Sequence, residues 1–242
     1  MESEELKEET LLSHLVELRS RLLKAGGCIL VLFICMAPFS DFIFSSVALP
    51  LMRQLPEGSS MIATQVASPF LTPFKTTMFA ALFLSMPVVL YQVWSFAAPG
   101  LYYKEKRFAV PLLISSIALF YLGTVFAYVV VFPIVFAFFT SAAPTGVAVM
   151  TDIASYLDFV LVLFFAFGVA FEVPIATVIL VWSGLTTVEA LKKNRAYVFL
   201  GAFVIGMLVT PPDIISQTLL AVPVYLLYEC GILLARVLSK PK

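Results

Sequence analysis

The sequence predicts an all-α polytopic membrane protein with six transmembrane helices, and three observations predict it. Of 242 residues, 61% are hydrophobic and only 12% charged, about half the charge of an average soluble domain. The apolar residues gather into six stretches, most of them close to the ~20 residues that cross a bilayer core. The basic residues fall almost entirely on alternate links between those stretches. This composition excludes a disordered chain, a disulfide scaffold and an ordinary cytosolic enzyme. The charges balance, 15 basic against 15 acidic, which excludes a broadly basic nucleic-acid binder.

Before the first stretch, Leu11, Leu15, Leu18 and Leu22 recur at i, i+4, i+7 and i+11, one face of a helix. His14, Glu17 and Arg21 lie on another face. This segment, 1–24, reads as an amphipathic helix on the membrane surface that runs into the first span. The acids before it (Glu2, Glu4, Glu5, Glu8, Glu9) form a solvated tail and complement the helix dipole. The spans run from about Ala25–Val47, Phe74–Ala97, Phe108–Phe139, Tyr156–Trp182 and Ala196–Val209 to Ile214–Leu234. Lipid offers no water to unpaired backbone groups, and stretches this long and continuously apolar suit helices rather than barrel strands. The first begins too late and is too long for a cleaved signal peptide. Pro87, Pro99, Pro111, Pro133 and Pro223 lie in or at the ends of spans. Such prolines kink a helix and free a carbonyl that a neighbour must satisfy, giving a curved, pre-shaped bundle. The fifth span is the exception: its 14 residues reach only about 21 Å. Thr210-Pro211-Pro212-Asp213 then ends it in a tight turn. The links are rich in Pro, Gly, Ser, Thr and charge, and residues 235–242 form a short tail.

Orientation follows from the bases. Thirteen of 15 lie before span one, between spans two and three, between four and five, or after six; only Arg53 and Lys75 lie on the other side. The positive-inside rule then places both termini in the cytoplasm.

Cys28, Cys35 and Cys230 sit within apolar spans with no ligand spacing and read as small buried hydrophobes. One histidine builds no metal site, and no phosphate-binding loop, nucleophile elbow or zinc motif occurs. The sequence supports neither an enzyme nor a metal or cofactor. Glu172, in Phe171-Glu172-Val173-Pro174, is the sharpest anomaly. A carboxylate in mid-span costs about 2.5–3.5 kcal/mol on insertion scales, so it belongs in a protein interior or a water-filled cavity. Its structural alternative is a hydrogen bond to a neighbouring helix's backbone freed by Pro174. Glu17 alone reads as an i,i+4 salt bridge to Arg21. Glu105 reads as a lone acid neutralised by the basic loop Tyr103-Lys104-Glu105-Lys106-Arg107.

Several long motifs change the weight of these acids. Ser13-His14-Leu15-Val16-Glu17-Leu18-Arg19, Val66-Ala67-Ser68-Pro69-Phe70 and Tyr91-Gln92-Val93-Trp94-Ser95-Phe96-Ala97-Ala98-Pro99-Gly100-Leu101-Tyr102 resemble signatures of TatC, the receptor core of the twin-arginine protein translocase. So do Ala166-Phe167-Gly168-Val169-Ala170-Phe171-Glu172-Val173-Pro174 and Leu208-Val209-Thr210-Pro211-Pro212-Asp213. The resemblance covers essentially the whole chain as one membrane domain, 1–242, with its six-helix bundle at 25–234.

That resemblance implies six helices shaped like a cupped hand, both termini cytoplasmic, in a bacterial inner membrane. It implies binding of the twin-arginine signal of folded cargo, then assembly with TatA and TatB for transport driven by the protonmotive force. The family's signal-binding acids map to Glu17 and Glu105, with Arg19, Phe96, Leu101 and Tyr102 beside them and Pro87 and Pro99 shaping the loop. Two carboxylates for two guanidiniums is sound chemistry, because arginine's planar fork pairs a carboxylate in bidentate fashion. Glu172 maps to the family's intramembrane glutamate. Met207, Thr210, Asp213 and Gln217 map to the docking edge and far-side turn. Pro50, Pro69 and Phe70 map to a cap that also touches neighbouring copies. A proton-coupled transporter using Glu172 is the competing reading, yet the sequence lacks the internal repeats of that class. A channel would need a ring of such glutamates from several copies.

Overall fold

The computed structural model describes residues 2–52, 61–97, 106–141, 150–210 and 213–238. The described residues form ten α-helices, in order α1 (Glu2–Met36), α2 (Ser40–Met52), α3 (Ser68–Ala97), α4 (Lys106–Phe126), α5 (Phe132–Ser141), α6 (Ile153–Ala170), α7 (Val173–Trp182), α8 (Val188–Lys193), α9 (Arg195–Val209) and α10 (Ile214–Leu238). A 3₁₀ turn at Ala37–Phe39 joins α1 to α2, and a π-helical segment at Ala127–Val131 joins α4 to α5. Among the described residues the one β feature is a parallel bridge between Ile62 and Asp152.

Among the described residues, five apolar helical segments are long enough to cross a membrane: Leu15–Leu49, Ser68–Phe96, Val110–Phe139, Ile153–Trp182 and Ile214–Leu238. The fifth stretch read from the sequence is a helix of only 15 residues, about 22 Å long. The amphipathic segment and the first span are continuous in α1. On that helix Leu15 is 59% and Leu22 63% exposed while Leu18 is half-buried, as suits a helix lying at a lipid interface.

Prolines explain the interruptions. The sequence reads 156–182 as one helix, whereas the structure ends α6 at Ala170 and restarts at Val173. Pro174 lacks the N–H an interior position needs and is tolerated only in a first turn, so the helix restarts just ahead of it. Pro87 stays inside α3 and deprives the Phe83 carbonyl of its i+4 donor. The Tyr121 hydroxyl of α4 donates to that carbonyl at 3.0 Å, the neighbour's help that a membrane-embedded proline requires. Pro133 lies just past the π segment, where the widened turn absorbs the misfit.

The core lies between α6 and the α4–α5 unit. Phe132, Val135, Leu157, Val160, Leu163 and Phe167 are all essentially inaccessible there. Glycines let these helices touch. A Cβ on Gly168 would fall 2.6 Å from Phe120, and one on Gly123 2.5 Å from the Phe167 carbonyl. On the other side of the bundle, a Cβ on Gly231 of α10 would fall 2.1 Å from Thr177 Oγ1 of α7. Small residues at such crossings are how helices approach closely in membranes, where no hydrophobic force drives them together. α1 and α2 pack on α3, and α9 packs on α10.

One end of the bundle is pinned at Asp152, the N-cap of α6. Its Oδ2 accepts from Ser155 N at 3.0 Å, and its Oδ1 accepts from Thr64 N at 3.0 Å and Thr64 Oγ1 at 2.8 Å. Ile62 N donates to the Thr151 carbonyl and Ile153 N to the Ile62 carbonyl. The backbone N–H of Ser155, followed by that of Thr64, holds the Asp152 carboxyl below the ordinary carboxylate range. A carboxyl lowered on folding stabilises above its unfolded pKa, and that contribution is lost as pH falls through the folded value. Asp152→Asn should therefore lower the melting temperature of the detergent-solubilised protein at pH 7. The gap to wild type should close as the pH drops below the carboxylate range; a gap independent of pH would refute this account of the cap.

Candidate functional site

Glu172 occupies the break between α6 and α7 and is 91% buried, at 9% exposure. The Ser116 hydroxyl of α4 donates to its Oε2, and the Trp94 indole N–H of α3 donates to Ser116 Oγ at 2.8 Å. Its Oε1 has no hydrogen-bond partner among the described residues. Apolar side chains enclose this chain: Ile175 and Ile179 of α7 with Leu112 and Leu119 pack around Trp94. The partner is thus a side-chain hydroxyl, not the backbone group freed by Pro174 that the sequence suggested. A serine on α4 stands close enough, whereas Pro174 has already been absorbed in the first turn of α7.

A second polar cluster lies where α1 meets the carboxy-terminal part of α3. Arg21 donates to Glu17 Oε1 from Nε at 2.9 Å and from Nη2 at 2.5 Å, and reaches Gln92 Oε1 from Nη1 at 3.4 Å. The i,i+4 pair expected from the sequence is present, half-exposed. Arg19 lies on another face, lining a shallow surface with Val16, Ser20, Leu23 and Lys24. Phe96 is half-buried near the end of α3. Pro99, Leu101, Tyr102 and Glu105 lie outside the described residues, so the second expected acid of this site is not placed.

The tip between α9 and α10 gathers the third group. Asp213 caps α10, its Oδ1 accepting from Ser216 N at 2.7 Å, while its buried Oδ2 has no partner among the described residues. The Thr210 hydroxyl donates to the Gly206 carbonyl at 2.9 Å. A Cβ on Gly206 would lie 3.4 Å from the Gln217 carbonyl, which marks the close crossing of the two helices. Met207 and Leu208 are exposed at 53% and 78%. No hydrogen bond among the described residues joins Glu172 to this tip; Glu172 belongs with Ser116 and Trp94 instead.

At the Asp152 end, Pro69 sits in the first turn of α3 and exposed Phe70 packs on Phe74 with ring centroids 5.0 Å apart. Pro50 lies in the backbone of α2 and Pro87 inside α3. Lys75 pairs with Asp158 at the same end, and Arg195 with Glu229 at 2.6 Å between α9 and α10.

Sequence reasoning missed Ser116, Tyr121 and Asp152. Tyr121 has a recoverable signal, since Pro87 marks Phe83 as a carbonyl needing a donor. Asp152 has one too, because Asp-Ile-Ala-Ser before an apolar run is an N-cap pattern. Ser116 has none: it is one of many hydroxyls in apolar spans, and its partner is 56 positions away.

Residues 13–223 match the family model described as Sec-independent protein translocase protein (TatC). The chain is 60% identical over 222 residues to the Sec-independent protein translocase protein TatC of Azotobacter chroococcum mcd 1, covering 92% of this chain and 87% of that one. It is 57% identical over 228 residues to the protein of that name from Escherichia coli strain K12, covering 94% and 88%. The crystal structure of a twin arginine translocase receptor, TatC, superimposes with a TM-score of 0.84 at 36% identity, covering 94% of this chain and all of that one.

Proposed function

Because the chain belongs to the TatC family of Sec-independent protein translocase proteins, we propose that it is the receptor that binds twin-arginine signal peptides of folded cargo. Recognition takes place at the basic end of the bundle, which faces the cytoplasm together with both termini. The observation that supports this most is the state of Glu17, which already holds a guanidinium, that of Arg21. A carboxylate that accepts two N–H donors from an arginine of its own helix has the chemistry for an incoming one. The resident pair is half-exposed and local, a class worth at most about 1 kcal/mol, so a signal arginine displaces or shares it cheaply. Glu105 takes the second guanidinium, with Arg19, Phe96, Leu101 and Tyr102 framing the peptide and Pro87 and Pro99 shaping the loop that carries them.

The reading assigns recognition and assembly rather than covalent catalysis, and no cofactor. In the bacterial inner membrane the short α9 and the start of α10 form the docking edge for the single helices of TatA and TatB. Met207, Thr210, Asp213 and Gln217 line that edge, and α9 crosses as the short fifth of six spans. Glu172 is the intramembrane polar contact that couples signal binding to partner docking and protonmotive-force-driven transport. Pro50, Pro69 and Phe70 form the cap on the outer face, where neighbouring copies meet, and residues 1–242 act as one membrane domain.

Expression in a bacterial strain deleted for its own TatC tests the reading. The chain, supplied with TatA and TatB, should restore export of a folded reporter carrying a twin-arginine signal. Failure to restore it while the chain is correctly inserted and complexed would overturn the assignment.

A further inference from the structure

The hydrogen-bond chain at the α6–α7 break is directional. An indole N–H donates and never accepts, and a serine hydroxyl carries one proton. With Trp94 Nε1 donating to Ser116 Oγ at 2.8 Å, the lone pair of Ser116 on that side is occupied and its proton is turned toward Glu172 Oε2. Ser116 is wholly buried, so no water competes for that proton at the chain's own surface. Both donors come from helices other than the one bearing Glu172. The break itself leaves the Glu172 carboxyl at a point where neither α6 nor α7 dictates its direction.

We propose that Ser116 and Trp94 are positioning residues for Glu172: they fix its Oε2 as an acceptor and leave Oε1 as the one oxygen with capacity for a group from outside the chain. That group is a hydrogen-bond donor on a docked membrane helix. Oε1 is buried without a partner among the described residues, a costly condition, so a donor brought there gains a full hydrogen bond instead of merely exchanging one with water. Trp94 also ties the site to the recognition end. It lies two residues beyond Gln92 on α3, which receives the Arg21 guanidinium, and therefore shares a rigid helix with the Glu17 cluster.

The inference rests on the role given to Glu172 above, and the test separates the two. Infrared difference spectra of the full chain in lipid nanodiscs identify the Glu172 carboxyl band as the one lost in Glu172→Gln. Ser116→Ala should shift that band, Trp94→Phe should shift it the same way by less, and Ser116→Thr, which keeps the hydroxyl, should leave it in place. In cells, Ser116→Ala should reduce export of a folded twin-arginine reporter about fivefold, the order expected for the net loss of one ordinary hydrogen bond, with signal-peptide binding unchanged. A band unmoved by both Ser116→Ala and Trp94→Phe overturns the positioning role. A band that shifts while Glu172→Ala still exports normally upholds the positioning and overturns the transport role of Glu172.

Discussion

Glu172→Ala is expected to cut export of a folded twin-arginine reporter at least tenfold while leaving binding of the signal peptide within about twofold of wild type. Tenfold corresponds to about 1.4 kcal/mol, less than the value of a hydrogen bond to a charged group at a desolvated site. The substitution removes both acceptor oxygens at the α6–α7 break, including the unpartnered Oε1. It leaves the fold intact for three reasons. Ser116 can turn its hydroxyl to a backbone carbonyl one turn back. Trp94 remains packed among Ile175, Ile179, Leu112 and Leu119. The crossing of α7 with α10 depends on Gly231 rather than on Glu172. Loss of export and of signal binding together would place Glu172 in the scaffold; unchanged export would make it a structural residue with no part in coupling.

Glu17→Ala separates recognition from transport in the opposite way. Removing a carboxylate that meets a guanidinium forfeits about 1.5–3 kcal/mol, or about 10- to 100-fold in peptide affinity. Insertion of the chain should be unaffected, because Glu17 lies on the half-exposed part of α1 and pairs locally with Arg21. The specificity is geometric. Arginine presents a planar fork of donors and lysine a single ammonium, so a site that holds Arg21 through two nitrogens is expected to discriminate between them by shape, the charge being the same.

The elements of the bundle were legible in the sequence because lipid imposes so simple a demand. Each long apolar stretch is helical, with the breaks described above, and the short fifth stretch is short in three dimensions too, ending at Val209 before Thr210-Pro211-Pro212. Glu172 stood out because a mid-span carboxylate is costly anywhere in an apolar run. Its surroundings did not. Periodicity treats 156–182 as one helix, and only Pro174 signals that the chain restarts there. Ser116 and Trp94 reach Glu172 from separate helices, a convergence that no local pattern encodes. The Glu17–Arg21 pair was readable because it is local, whereas Gln92 joins it only through the packing of α1 on α3. Glu105 gained its weight from family resemblance alone, because a single acid among three bases has an ordinary electrostatic explanation.

The receptor assignment is tested most directly by titrating the purified, lipid-reconstituted protein with a fluorescent signal peptide carrying Arg-Arg, and with one differing only by Lys-Lys. A photo-reactive side chain at Leu18 would report the contact. The Arg-Arg peptide should bind, crosslink to α1 and lose about 10- to 100-fold in affinity in Glu17→Ala, while the Lys-Lys peptide should bind wild type at that weakened level. Equal binding of the two peptides to wild type, or a crosslink that persists undiminished in Glu17→Ala, would contradict the account.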